Sequence, residues 1–316
     1  MDGCHLPGEA GSFWIPATEK GELMRNTPHL KAVLQAFLVT FLWSTSWVLI
    51  KIALVEIPPL TFAGLRYTFA FLILLPMLWK RKPELRPLSR RELYGLVILG
   101  IIYYALTQGG VFLSLKYLDP ITFSLMLNFT TVLVALAGIV TLREWPSWWQ
   151  WIGILIFLVG VLVYFYPLNL PIGEEIGLFW GVLTVCANAA ASVLGRGINR
   201  ANRIQPLVVT VVSMGVGALV LLISGLVLQG LPPISLQSWA IIVWLALVNT
   251  AFAFTLWNKT LQTLPAMESS MINNTILVQI ALLAWIFLGD TITPLEVVGL
   301  GLATIGVLAA SRQTHQ

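Results

Sequence analysis

The sequence is short of charge. Asp, Glu, Lys and Arg make up only 10% of its 316 residues, while 58% are apolar; soluble domains carry about 25% charged residues. No soluble core of this length could hide so much apolar surface. Many of the apolar runs reach the ~20 residues that cross a bilayer. Histidine is scarcer still: His5, His29 and His315 are the whole complement, and all lie toward the termini. The membrane interior therefore lacks the commonest acid–base and metal-ligating side chain. Two isolated cysteines, Cys4 in the N-terminal stretch and Cys186 in an apolar run, make neither a disulfide framework nor a zinc spacing. No G-x-x-x-x-G-K-[ST] phosphate loop occurs, and no lysine follows a glycine anywhere. The chain does not drive itself with ATP. An integral membrane enzyme would need converging acids, histidines or metal ligands, and none converge, so the reading is a non-enzyme without cofactor or metal.

The net charge of +4 sits between the apolar runs and not on one soluble face, so no nucleic-acid partner is expected. The expected partners are the lipid bilayer and a small-molecule substrate; an oligomer stays open. Residues 1–32 are polar, with acids and prolines, and read as a mobile tail and not a signal peptide.

The apolar runs predict ten helical spans: 33–50, 59–79, 93–113, 121–141, 148–166, 176–195, 206–228, 237–257, 267–288 and 294–311. Turn signals separate them, among them IPPL at 57–60, LDP at 118–120, EWPSW at 144–148 and LPP at 231–233. Lipid offers backbone polar groups no partner, so the spans are helical. Lys80, Arg81, Lys82, Arg86, Arg90 and Arg91 crowd the connection after span two, which marks that side as cytoplasmic. Strict alternation then puts nearly all other cations on the same side, and Glu56, Asp119, Glu174, Glu175, Asp290 and Glu296 opposite. Lys51, Lys116 and Arg66 stand outside this sorting. A multi-pass protein of the cell membrane with both termini cytoplasmic is expected. Trp79, Trp145, Trp148, Trp149, Trp239 and Trp257 lie at span ends, where amphipathic rings prefer the interface.

The chain weakly repeats itself at an offset of about 146 residues. LNFTTVLVAL at 127–136 returns as NNTILVQIAL at 273–282, so Asn128 falls on Asn274 and Ser124 on Ser270. Gly153 and Gly160 fall on Gly299 and Gly306, and Glu144 on Asp290. Two halves of five spans follow, 33–166 and 176–311, with a linker at 167–175 and a short tail at 312–316. Five is odd, so the second half enters the membrane inverted. The expected fold is all-α, ten transmembrane helices in two inverted five-helix repeats, with a substrate site near the midplane between them. Glycines two turns apart on spans five and ten read as close helix contacts.

The motifs in order resemble the drug/metabolite transporter superfamily, specifically its ten-span EamA-type branch. FLWSTSWVLIKIAL at 41–54 resembles that family's first span and PPLTFAGLRYTFA at 58–70 its second, including Arg66. LGD at 288–290 resembles the end of the second repeat, with TLRE at 141–144 as its counterpart. The sequence departs from the family at Thr131 and Leu277, where members usually carry a proline in spans four and nine. The resemblance implies a secondary transporter that exports amino acids or other small metabolites.

Polar residues inside spans are the pathway candidates: Trp43, Ser44 and Trp47 on span one, Arg66 on span two, Tyr104 and Gln108 on span three, Asn128 on span four, Asn188 on span six, Asn249 on span eight, Ser270 and Asn274 on span nine. Asparagine between membrane helices also serves as packing glue, and a hydroxyl often bonds its own helix; both readings stay open. Arg66 is too costly to face lipid bare and reads as a snorkelling residue or an attractor for a carboxylate or phosphate. Glu268 reads as a helix cap or a coupling carboxylate. A channel would want a charged ring, and a sugar-phosphate or nucleotide-sugar exchanger several buried cations.

Overall fold

The computed structural model describes residues 17–80, 87–142, 147–164, 166, 174–200, 204–260, 263–264, 272–273, 275–289 and 292–310. Every regular element among them is helical. The helices are α1 Ala17–Ala53, α2 Pro59–Lys80, α3 Arg90–Leu99, α4 Gly109–Tyr117, α5 Pro120–Leu127, α6 Phe129–Leu142, α7 Trp148–Tyr164, α8 Glu174–Arg200, α9 Pro206–Leu228, α10 Leu236–Trp244, α11 Ala253–Thr260, α12 Ile276–Leu288 and α13 Pro294–Ala310. Two π-helical segments, Gly100–Gln108 and Leu245–Phe252, join α3 to α4 and α10 to α11 without a break.

Helix is found within each of the ten expected stretches, for 267–288 over Ile276–Leu288 among the described residues. Five stretches are long and apolar enough to cross a bilayer unaided: His29–Ala53, Pro59–Lys80, Arg90–Tyr117, Glu174–Gly195 and Pro206–Leu228. The others are shorter apolar helices, including Trp151–Tyr164, Leu236–Phe252 and Pro294–Gly306. Helix also runs ahead of the first expected span: α1 begins at Ala17, because Ala, Glu, Lys, Leu and Met in ATEKGELM favour helix, while the stretch apolar enough to cross starts at His29.

The turn signals act as local chemistry predicts. Asp119 caps α5, its carboxylate accepting from Thr122 N at 2.7 Å, with Pro120 at the first helical position. Ser89 and Glu92 form a capping box at the start of α3. Gly289, at φ 71°, ends α12 in a left-handed conformation that a Cβ would strain.

The surface inverts that of a soluble protein. Leu219, Val227, Leu228, Trp285 and Phe287 are all more than half exposed, while Thr40, Ser44, Thr61, Thr184, Asn249 and Thr250 are completely buried. Trp79, Trp148 and Trp149 lie exposed at helix ends, as an interfacial girdle requires.

Two antiparallel pairs carry the tightest packing. In α7–α13, a Cβ added at Gly299 would lie 2.8 Å from the Gly160 carbonyl oxygen, and one at Gly306 would lie 2.7 Å from the Gly153 carbonyl oxygen. The glycines of spans five and ten face each other within one chain. In α2–α9, a Cβ at Gly64 would lie 2.6 Å from Leu222 Cα, and one at Gly225 would lie 2.5 Å from Thr61 N. Contacts at 2.8 and 2.9 Å, Leu60 N to Gln229 Oε1 and Thr61 Oγ1 to Gly230 O, pin the ends of that pair.

Lys51 and Glu56, at the end opposite the basic connection, both close helix termini. Lys51 Nζ donates to the carbonyls of Leu115 (2.8 Å) and Leu118 (2.7 Å) at the end of α4, which accounts for a cation outside the charge sorting. The Glu56 carboxylate accepts from Ser235 N, Ser235 Oγ and Ser238 Oγ at the start of α10. The Ser238 and Ser235 hydroxyls and the Ser235 N–H hold its carboxyl below the ordinary range.

Candidate functional site

A cavity of about 420 Å³ opens where α1, α2, the first π segment, α5 and α8 meet the second π segment, α11 and α12. Its wall holds one charged side chain among the described residues, Arg66. The remaining polar lining is neutral: Ser46, Tyr67, Tyr103, Thr107, Gln108, Ser124, Asn128, Thr130, Asn188, Asn249 and Asn273. Trp43, Trp47 and Phe254 supply aromatic faces, and Ile50, Leu277 and Ile280 aliphatic ones.

The two π segments shape this wall. A π turn inserts one residue into the ordinary ladder, so the helix face shifts phase and carbonyls pair five residues on. Thr107 Oγ1 donates to Ile102 O and Thr250 Oγ1 to Leu245 O, both at 2.9 Å and both across five residues. The same device thus occurs once in each half, at matching places. Thr107, Gln108 and Asn249 of these segments line the cavity, and Thr250 is completely buried. Gln108 Oε1 accepts from the Tyr67 hydroxyl at 2.7 Å. Asn249 ties the second half to α1: its Nδ2 donates to Leu42 O, to Ser46 Oγ at 2.8 Å and to Thr45 Oγ1 at 3.2 Å. Trp43 Nε1 donates back to Asn249 O at 3.2 Å.

Span four is broken at the cavity. Asn128 stands in a turn between α5 and α6, with its N–H bonded to Leu125 O at 3.2 Å and its Nδ2 to Ser124 O at 2.7 Å. Thr275 makes the matching turn before α12, with N–H to Ile272 O at 3.1 Å and Oγ1 to the same carbonyl at 2.6 Å. Proline is absent from Thr131 and Leu277; at Asn128 and Thr275 the backbone N–H reaches back three residues and the side chain bonds its own backbone, which interrupts the ladder instead.

Arg66 is 6% exposed. Its Nε and one terminal nitrogen donate to Thr250 Oγ1, both at 3.3 Å, and its guanidinium lies 5.4 Å from the Tyr67 ring centre and 6.0 Å from that of Phe112.

Of the residues singled out from the sequence, Trp43, Trp47, Arg66, Gln108, Asn128, Asn188 and Asn249 line this one cavity. Ser44 and Tyr104 stand behind its wall. Ser44 is fully buried and bonds Gln279 Oε1 at 2.9 Å; Tyr104 packs edge-on against Tyr67 with ring centres 5.6 Å apart. The π segment exchanges Tyr104 for Tyr103 on the inner face. Glu268, Ser270 and Asn274 lie outside the described residues. Tyr67, Thr130 and Phe254 reach the wall without having been singled out. For Tyr67 the available signal was its place beside Arg66; Thr130 bonds Asn188 Nδ2 at 3.3 Å.

An all-helical chain with a lipid-like exterior and a polar cavity is, in class, a multi-pass membrane transporter. It belongs to the EamA-like transporter family, whose model matches residues 30–166 and again 175–312. It is 25% identical over 292 residues to an S-adenosylmethionine/S-adenosylhomocysteine transporter of Chlamydia trachomatis, covering 87% of each chain. It is 24% identical over 286 residues to the uncharacterized transporter YoaV of Bacillus subtilis, covering 88% of this chain and 96% of that one. A crystal structure overlays with a TM-score of 0.64 at 18% identity, covering 89% of this chain and 98% of the other, a likeness of fold.

Proposed function

We propose that the chain is a secondary transporter of the cell membrane that exports amino acids or related small metabolites by alternating access. In this reading ten helices cross the bilayer, both termini are cytoplasmic, and the two family-matched segments form inverted five-helix repeats. The crossed glycine contacts support the inversion: Gly153 meets Gly306 and Gly160 meets Gly299. Residues related by the repeat exchange partners, as a twofold axis requires. The paired π turns support it further.

The observation that carries the reading is the cavity itself, walled by both matched segments and furnished, among the described residues, with one cation, neutral hydrogen-bonding groups and aromatic faces. That lining suits small amphipathic organic molecules better than bare ions. The Chlamydia trachomatis relative named for S-adenosylmethionine, itself an amino-acid derivative, supports cargo of that class. A sugar-phosphate exchanger would call for more than Arg66. Trans-stimulated exchange of labelled amino acids and S-adenosylmethionine in proteoliposomes tests the proposal. Saturable counterflow is expected; flux without saturation or trans-stimulation overturns it.

A further inference from the structure

Arg66 is a buried cation held in place for something the described residues do not supply. It is 6% exposed, and no acid lines the cavity beside it among the described residues. A guanidinium has five N–H donors in a planar fork. Here two nitrogens converge on one hydroxyl, Thr250 Oγ1, both at a long 3.3 Å. Thr250 is arranged to receive them: its own proton is committed to Leu245 O at 2.9 Å through the π turn, so its lone pairs face the guanidinium. The Tyr67 and Phe112 rings flank the group at 5.4 and 6.0 Å and limit its reorientation. The side chain is oriented, desolvated and short of acceptors among the described residues, and it lines the cavity.

Charge balance then selects the ligand. Arg66 contributes one positive charge to a low-dielectric site in which the other described lining groups are neutral. A carboxylate neutralises the guanidinium locally and matches the planar fork with two parallel hydrogen bonds, while the ammonium of an amino acid is left to the neutral oxygens of the lining. A phosphate monoester carries −1.5 to −2 near pH 7, as a general property of the group, and would leave uncompensated negative charge; unpaired buried charge is costly. We infer that Arg66, held by Thr250, is a carboxylate subsite, so that every cargo carries a carboxylate and phosphate esters are rejected. This rests on the cavity being the transport pathway.

The experiment compares cells lacking the chain with cells expressing the full-length wild type, Arg66→Gln, Arg66→Lys or Thr250→Val. Compounds whose cellular or external level depends on the wild type are identified by untargeted mass spectrometry. All of them are expected to carry a free carboxylate. Arg66→Gln should lower their flux by about tenfold or more, given the strength of charge-assisted bonds. Arg66→Lys should retain part of it, because the charge stays and the fork is lost. Thr250→Val keeps the arginine and tests its orientation even where Arg66→Gln fails to fold; it should weaken flux several-fold. Dependent compounds that lack a carboxylate, or unaltered carboxylate flux in folded Arg66→Gln or in Thr250→Val, would overturn the subsite while leaving transport intact. No wild-type-dependent compound at all would remove the transport reading and the subsite with it.

Discussion

Gly160 and Gly299 meet so closely that a methyl on either would lie 2.8 Å from the other's carbonyl oxygen. The backbones of α7 and α13 touch with no side chain between them. Close approach of this kind is how membrane helices gain dispersion energy without a hydrophobic driving force. Gly160→Val and Gly299→Val are therefore expected to destabilise the protein by about 1–3 kcal/mol or more, the cost of overpacking. Gly301→Ala, with nothing within 4 Å of the added carbon, should cost far less. Thermal unfolding in detergent checks the contrast; equal effects at Gly299 and Gly301 would remove the glycine contact as an explanation.

The second prediction concerns Asn249, whose side chain is fully buried and bonds three groups on α1. Asn249→Leu should lower stability by about 1–2 kcal/mol, the range for polar links between membrane helices. Leu42 O and Ser46 Oγ would also lose a donor in a buried place. If the variant unfolds at the wild-type temperature, this link between the halves contributes nothing to stability.

Glu56 gives a pH dependence with a defined sign. Its folded value is lowered from about 4.5 by the Ser238 and Ser235 hydroxyls and the Ser235 N–H. A depressed carboxyl contributes stability above its unfolded value and loses it as pH falls through the folded value. Wild type should therefore lose more stability than Glu56→Gln on going from pH 7 to below pH 4.5. Parallel melting curves for the two proteins across that window would show that the carboxylate bonds to α10 carry no differential energy.

Much of the architecture was legible because it is written in composition. Apolar runs, prolines and the cluster at 80–91 locate helices and turns with no knowledge of packing, and the helices found at 59–80, 206–228 and 294–310 sit within a residue or so of the expected spans. The glycine contact was legible as a contact, but sequence could not say with what. The π segments were not legible. An inserted residue changes neither hydropathy nor propensity, yet it rotates the helix face. Tyr103 and not Tyr104 therefore reaches the cavity, and Thr250 becomes the acceptor for Arg66. The interrupted ladders at Asn128 and Thr275 were hidden for a related reason: asparagine and threonine bond their own backbone where proline would have been the visible sign.

The fourth prediction is topological. The basic connection after α2 and the acids Glu174 and Glu175 should face opposite compartments. In an otherwise cysteine-free protein, cysteines replacing the exposed Arg91 and Glu175 are expected to react with a membrane-impermeant maleimide from the inside and the outside respectively. Reaction from one side only would overturn the orientation and, with it, the inversion of the second half.

The last prediction returns to Asn128, which has a structural task and a place on the wall. Its Nδ2 satisfies Ser124 O at 2.7 Å, where the turn between α5 and α6 leaves that carbonyl short of a helical partner. Its side chain also lines the cavity beside Ser124 and Thr130. Asn128→Ala removes both, so stability alone cannot separate them. Asn128→Ser keeps a short polar group able to bond the preceding turn, while it withdraws the amide from the cavity. If Asn128 contacts cargo, the serine variant should hold stability to within about 1 kcal/mol, the cost of an ordinary hydrogen bond, and still lose flux by about tenfold. If the asparagine only shapes the turn, flux should follow stability in both variants, with the alanine form the worse of the two. Flux per folded molecule, with folded protein quantified by size exclusion, distinguishes the outcomes. Wild-type flux per folded molecule in Asn128→Ser would assign the residue to the bend alone.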